Sequence, residues 1–109
     1  MSNFVKNSNI KKTLDINDNQ VKDEEEGLFS LLVLSFMNAA LIQMGYVDEF
    51  GGMIQNPKPV NLEQARYNIS MIEMLKEKTK GNLSQIEIDL LENTMYELRN
   101  KFVESRRLR

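Results

Sequence analysis

The stretch Thr79-Lys80-Gly81-Asn82-Leu83-Ser84-Gln85-Ile86-Glu87-Ile88 decides the fold. Gly81 can take the left-handed conformation that ends a helix without a Cβ penalty. Ser84 supplies the oxygen that caps the next helix. Glu87, three residues on, can reach back to the Ser84 amide, which completes a capping box. Leu83 and Ile88 stand on either side of that cap at the spacing of a hydrophobic staple. A helix therefore stops and another starts within a few residues, and two helices joined by so short a turn must lie antiparallel.

Both flanks carry the matching periodicity. Downstream, Ile88, Leu91, Met95, Leu98 and Phe102 advance in steps of three and four, a heptad seam on a helix predicted over about 85–105. Upstream, Leu62, Ala65, Ile69, Ile72 and Leu75 answer it on a helix predicted over 62–80. Asn61 stands where it can cap that helix, with Gln64 placed to reciprocate. The upstream helix has a second apolar strip, Tyr67, Met71 and Met74, well around from the first. A hairpin alone leaves it wet. Either the first helix of the chain packs there, which is the expectation, or it is an adaptable, Met-rich surface for another protein.

Further upstream, a helix is predicted over about 25–44, with Gly45 at its C′ position. The connector from Asp48 to Pro59 holds the breakers Gly51-Gly52 and Pro57-Lys58-Pro59. From Leu28 to Met44 thirteen of seventeen residues are apolar, and Ser30, Ser35, Asn38 and Gln43 make no wide polar face. A two-helix hairpin cannot surround such a helix. Its cover is a second copy of the chain, a different protein, or lipid. Seventeen residues rise only about 25 Å against a hydrocarbon core of roughly 30 Å. Acidic residues flank both ends, with no Lys/Arg cluster beside either. No membrane span is expected, and the cover favoured on these grounds is the chain itself. In such a homo-oligomer Ser35, Ala39 and Ala40 permit close approach, with Leu32, Phe36, Ala40 and Leu41 as contacts beside the Tyr67–Met71–Met74 strip.

The whole reads as an all-α chain of three helices, the last two an antiparallel hairpin. Residues 1–26, rich in Asn, Lys and Asp and ending in Asp23-Glu24-Glu25-Glu26, read as a disordered arm ahead of a single helical domain over 27–109. Of 109 residues this leaves about 80 for a core, a size for which oligomerisation is a common remedy. The N-terminus lacks the apolar stretch of a signal peptide, and a cytoplasmic location is expected.

The chain contains neither cysteine nor histidine. Disulfides, thiolate chemistry, Ser–His and Cys–His nucleophiles are excluded within it, and a zinc site has no suitable ligands. No catalytic residue, metal site or cofactor is expected, and the protein is read as not an enzyme. Glu87, Asp89 and Glu92 are acidic neighbours without converging ligands from elsewhere, and read as a solvated face. Net charge is −2, so no overall field attracts nucleic acid. Yet Arg99, Lys101, Arg106, Arg107 and Arg109 stand against Glu104 near the C-terminus. These, with Lys78 and Lys80 at the turn, are the candidate contacts for an anion or nucleic acid. Lys or Arg near a helix end also simply complements the helix dipole.

The run Leu75-Lys76-Glu77-Lys78-Thr79-Lys80-Gly81-Asn82-Leu83, followed by Leu90-Leu91 and Tyr96-Glu97-Leu98-Arg99, resembles a small bacterial family catalogued only as a domain of unknown function. The run Leu31-Leu32-Val33-Leu34-Ser35 and the segment Asn61-Leu62-Glu63-Gln64-Ala65 are similar to that family too, so the resemblance covers roughly residues 27–104. It implies a bacterial, cytoplasmic protein and carries over no functional residue. The function expected is therefore a helical oligomerisation or protein-interaction module, with an unidentified protein as a possible partner. The alternative is a small RNA- or ribosome-associated protein that uses the basic C-terminal tail.

Overall fold

Local capping fixes the helix ends before any packing is considered. The computed structural model describes the backbone of residues 18–108, with side chains from residue 20. Among the described residues there are three helices: α1 over Asp18–Gln43, α2 over Leu62–Lys78 and α3 over Gln85–Arg107. The Glu87 amide donates to Ser84 Oγ (3.2 Å) and the Ser84 amide to Glu87 Oε1 (2.8 Å), so the predicted capping box is complete. At α2 only half of the predicted box forms. Asn61 Oδ1 accepts from the Gln64 amide (3.0 Å), but the Asn61 amide donates to the Gln43 carbonyl (2.9 Å). That bond satisfies a carbonyl at the end of α1 instead. α2 stops two residues earlier than predicted. Thr79 caps it, with its hydroxyl on the Leu75 carbonyl, while Gly81 takes a positive φ of 89° within the turn.

The start of α1 departs from expectation and its end agrees with it. Part of the predicted disordered arm, residues 1–17, lies outside the described residues. From Asp18 onward the arm is helix, and Val21 is buried. Acidic residues are favourable in the first turns of a helix, and the run of Glu has good intrinsic propensity, so the apolar helix extends back through it. At the other end Gly45 has φ 84°, the Tyr46 amide donates to the Leu41 carbonyl (2.9 Å) and the Gly45 amide to the Ile42 carbonyl (3.0 Å). This is a Schellman motif. A Cβ on Gly45 would collide with the Lys58 carbonyl oxygen, so glycine is demanded twice here, by φ and by the approach of the connector.

Cross-helix contacts set the topology. Lys76 of α2 and Lys80 of the turn share a pocket with Ile88 and Leu91 of α3, Glu73 pairs with Arg99 (3.1 Å), and Arg66 lies over Phe102. Positions descend along α2 as they ascend along α3, so the two form the predicted antiparallel hairpin. Glu25 and Glu26 of α1 border a depression with Gly81, Asn82 and Ser84 in the hairpin turn. At the far end Ser105 Oγ, fully buried, donates to the Met44 carbonyl (3.4 Å), and Tyr46 donates to Glu104 (2.5 Å). α1 and α3 therefore run the same way, with α2 opposed to both.

The core is built from Val33, Ala40 and Met44 of α1 and its end, Ala65, Ile69 and Ile72 of α2, and Leu91, Met95 and Leu98 of α3. Apart from the half-buried Ile88, every residue of the two predicted hairpin seams is buried or packs against this cluster as a half-buried side chain. α3 carries a second stripe not read from the sequence. Thr94 and Ser105 are buried, and Lys101 places its ammonium 5.0 Å from the Tyr46 ring centre. Short polar side chains on that stripe let α1 lie close against it.

Candidate interaction surface

Phasing α1 against the core separates its side chains into two faces. At 100° per residue, Val33, Ala40 and Met44 fall within one narrow sector. Leu28, Leu31, Ser35, Asn38 and Ile42 fall on the opposite side, in steps of three, four, three and four, with Ile42 half-buried. Leu32 and Leu34 border that outer face. Leu28 is 59% exposed and Leu31 63%, and Leu32, Leu34 and Ser35 are also exposed. α1 thus shows the hairpin one apolar face and solvent another.

This assignment corrects the residue choice made from sequence. Leu32 is exposed at the border of that face. Ala40 is fully buried and belongs to the core, and Phe36 and Leu41 pack against that core. They serve the monomer. Leu28 and Leu31, missed from the sequence, are the most exposed of the large apolar residues on the helix. The signal for them was present in the apolar run, but a helix apolar all round gives no phase.

The second apolar strip is also open. Tyr67, Met71 and Met74 are all exposed, on the side of α2 away from its buried residues, so α1 does not cover them. A third apolar feature lies in the connector. Asp48 Oδ1 accepts from the Phe50 and Gly52 amides (2.8 Å each), and the Asp48 amide donates to the Gly52 carbonyl (2.9 Å). This tight loop holds Phe50 94% and Met53 85% exposed.

The predicted anion contacts are not brought together. Lys78 and Lys80 lie at the hairpin turn, whereas Arg106 and Arg107 lie at the far end of α3, about 30 Å away along a helix of that length. Arg99 is engaged with Glu73 (3.1 Å). A different cationic cluster forms instead. Arg66 of α2 and Arg106 of α3 both stand over the half-buried Phe102 ring, at 5.9 and 5.7 Å from its centre. Among the described residues neither has a carboxylate in ion-pair range. Arg66, Arg99 and Phe102 line a shallow cavity of about 310 Å³. Among the acidic neighbours, Glu87 is spent in the α3 cap and Asp89 accepts from Gln85. Among the described residues no group of three acidic side chains is placed to hold a metal ion.

The Tyr46 hydroxyl has a displaced acidity. Burial first, then its hydrogen bond to Glu104 and the charge of that carboxylate, push it up to about 12. Tyr46 stays neutral and pins the end of α1 to α3.

These features define a small three-helix bundle whose first helix offers an uncovered apolar face. Residues 26–104 match the family described as a domain of unknown function (DUF1844), and the chain belongs to that family. No curated protein and no solved structure matches it. α1 is also long and apolar enough, over Gln20–Gln43, to cross a membrane by length and composition.

Proposed function

We propose that the chain is a cytoplasmic, non-catalytic helical module that works by associating with itself through the outer face of α1. The observation that supports this is the exposed Leu28 and Leu31, bordered by exposed Leu32 and Leu34, lying opposite the face that meets the hairpin. Contiguous apolar surface of this kind marks a site of association. A lipid cover is disfavoured by the same helix. Although α1 extends over 26 residues, its acidic run Asp23–Glu26 lies inside it, and only Gly27–Gln43 is free of charge. That uncharged part rises about 25 Å, short of a bilayer core. The acidic run also repels an anionic lipid surface.

The test is the absolute molar mass of the purified, detergent-free chain by light scattering. A dimer or larger species that persists in high salt is expected, and Leu28→Asp combined with Leu31→Asp should reduce it to a monomer that keeps its helicity. A wild-type chain that runs as a monomer across the micromolar range overturns the proposal.

A second reading, association with RNA or the ribosome, draws support from Arg66 and Arg106 around Phe102. Arg106→Glu should then abolish RNA binding, and binding should fall steeply as salt rises.

A further inference from the structure

We infer that the groove between α2 and α3 is a phosphate-binding site, with Arg66, Arg99 and Arg106 as its donors. The phosphate is that of an RNA backbone, in which case the site rests on the second reading above, or that of a small phosphorylated molecule.

Spacing puts the donors together. Arg99, Phe102 and Arg106 follow in steps of three and four, on one face of α3. Arg66, Ser70 and Glu73 follow in steps of four and three on the facing side of α2. The antiparallel hairpin sets Arg66 across from Phe102 and Glu73 across from Arg99. The cavity of about 310 Å³ lies between these two faces, and no residue of α1 lines it.

The groove is unbalanced in charge. Arg66 and Arg106 stand 5.9 and 5.7 Å from the same ring centre, which confines both to one neighbourhood. Cation–π attraction holds each there without neutralising it. Among the described residues neither has an ion-pair partner. The acidic groups nearby do not fill the gap. Glu73 is matched by Arg99 (3.1 Å), Glu97 lies 3.9 Å from Lys101, and Glu104 accepts from Tyr46 on the side of α1. Glu63, one turn before Arg66, is outside ion-pair range of it among the described contacts. Three guanidiniums against one carboxylate leave an excess of positive charge in the groove.

That excess suits a phosphate monoester, which carries about −1.5 to −2 at neutral pH, or successive phosphates of a strand. The arginine forks and the Ser70 hydroxyl supply donors from both helices. A tetrahedral anion with several oxygens can use them all, whereas a carboxylate has only two oxygens to offer. Phe102 is half-buried and lies beneath two guanidiniums, so it offers no free platform for a base. Recognition is therefore of the phosphate and independent of base sequence.

Two probes test the site on the full chain. One is a short fluorescein-labelled single-stranded RNA, read by anisotropy. The other is inorganic pyrophosphate, read by the thermal midpoint at constant ionic strength. Arg66→Gln with Arg106→Gln should weaken binding about tenfold or more, with far-UV helicity unchanged. Lys22→Gln with Lys76→Gln makes the same change in net charge outside the groove and should leave binding nearly unchanged. Should loss of the cation–π contacts unfold the hairpin, Arg66→Lys with Arg106→Lys keeps both charges, removes the forks, and should still weaken binding several-fold. RNA bound by the wild type and weakened only by the arginine variants supports the site, with the backbone as its source. Protection by pyrophosphate that the arginine variants lose, with no RNA bound, supports the site, makes a small phosphorylated molecule the source and removes the second reading. RNA bound equally well by both pairs of variants, or weakened alike in both, leaves that reading standing and overturns the site. No response to either probe overturns the site and the reading together.

Discussion

α1 and α3 are helices of similar length in one bundle, and they are encoded in opposite ways. α3 has a start signal, a seam and a polar back, so each residue's direction follows from its position. α1 is apolar nearly all round. Its sequence says that it is covered but not by what, nor on which side. Only the hairpin, by taking Val33, Ala40 and Met44, gives it an inside and an outside. A helix with a strong pattern selects its own neighbours, whereas a helix with none takes its phase from neighbours already in place.

The sharpest break in this comparison sets equal deletions in the two kinds of face. Leu98→Ala, at a fully buried site, should lower unfolding free energy by about 2–5 kcal/mol. Leu31→Ala should change the intrinsic stability of the monomer by less than about 0.5 kcal/mol. Urea titration at concentrations where the chain is monomeric measures both, and comparable losses would mean that Leu31 is buried after all. Next in size is Gly45→Ala, which meets both a positive φ and the Lys58 carbonyl. A loss of about 2 kcal/mol or more is expected in the same titration, and a neutral outcome would count against the close approach of the connector.

Ser84→Ala tests whether α3 depends on its own start signal. It should cost about 1 kcal/mol, and thermal unfolding that leaves the midpoint unmoved would show the cap to be dispensable. The smallest effect concerns the lock between α1 and α3. The Tyr46 hydroxyl is raised to about 12 from 10.0. Its neutral form is therefore favoured in the folded state, which adds stability in full below pH 10. That contribution is lost as pH climbs from 10 towards 12. The loss should be roughly 1 kcal/mol after allowance for solvent screening. In Tyr46→Phe this part of the pH profile should flatten, and an unchanged slope would assign it to other groups.

The hairpin was legible because local rules and packing agree along it. Ser84 with Glu87 and Leu83 with Ile88 mark one boundary by two separate signals, and the seams through Ile72 and Leu98 follow from spacing alone. What escaped notice did so for physical reasons. The helical state of Asp18–Glu26 was hidden because a polar, charged composition is shared by disordered arms and by the first turns of helices. The core role of Ala40 was hidden because alanine fits a core, an interface or a surface. Thr94 and Ser105 were missed because small polar residues carry no periodic apolar signal, although their size is what lets two helices approach. The Arg66–Phe102–Arg106 cluster is tertiary, joining residues 40 positions apart, and no spacing rule reaches it.

The two links between helices differ in length, and this bears on the order of events during folding. α2 and α3 are joined by residues 79–84, whereas α1 reaches α2 only across residues 44–61. Threefold longer closure costs about 1 kcal/mol more entropy, and the shorter link belongs to the pair that needs no third helix to define its register. The hairpin is thus the natural nucleus, with α1 docking late and leaving first. While undocked, α1 bares its inner face as well as its outer one. The vulnerable species for proteases and chaperones is therefore an intact hairpin trailing a naked apolar helix, rather than the fully unfolded chain.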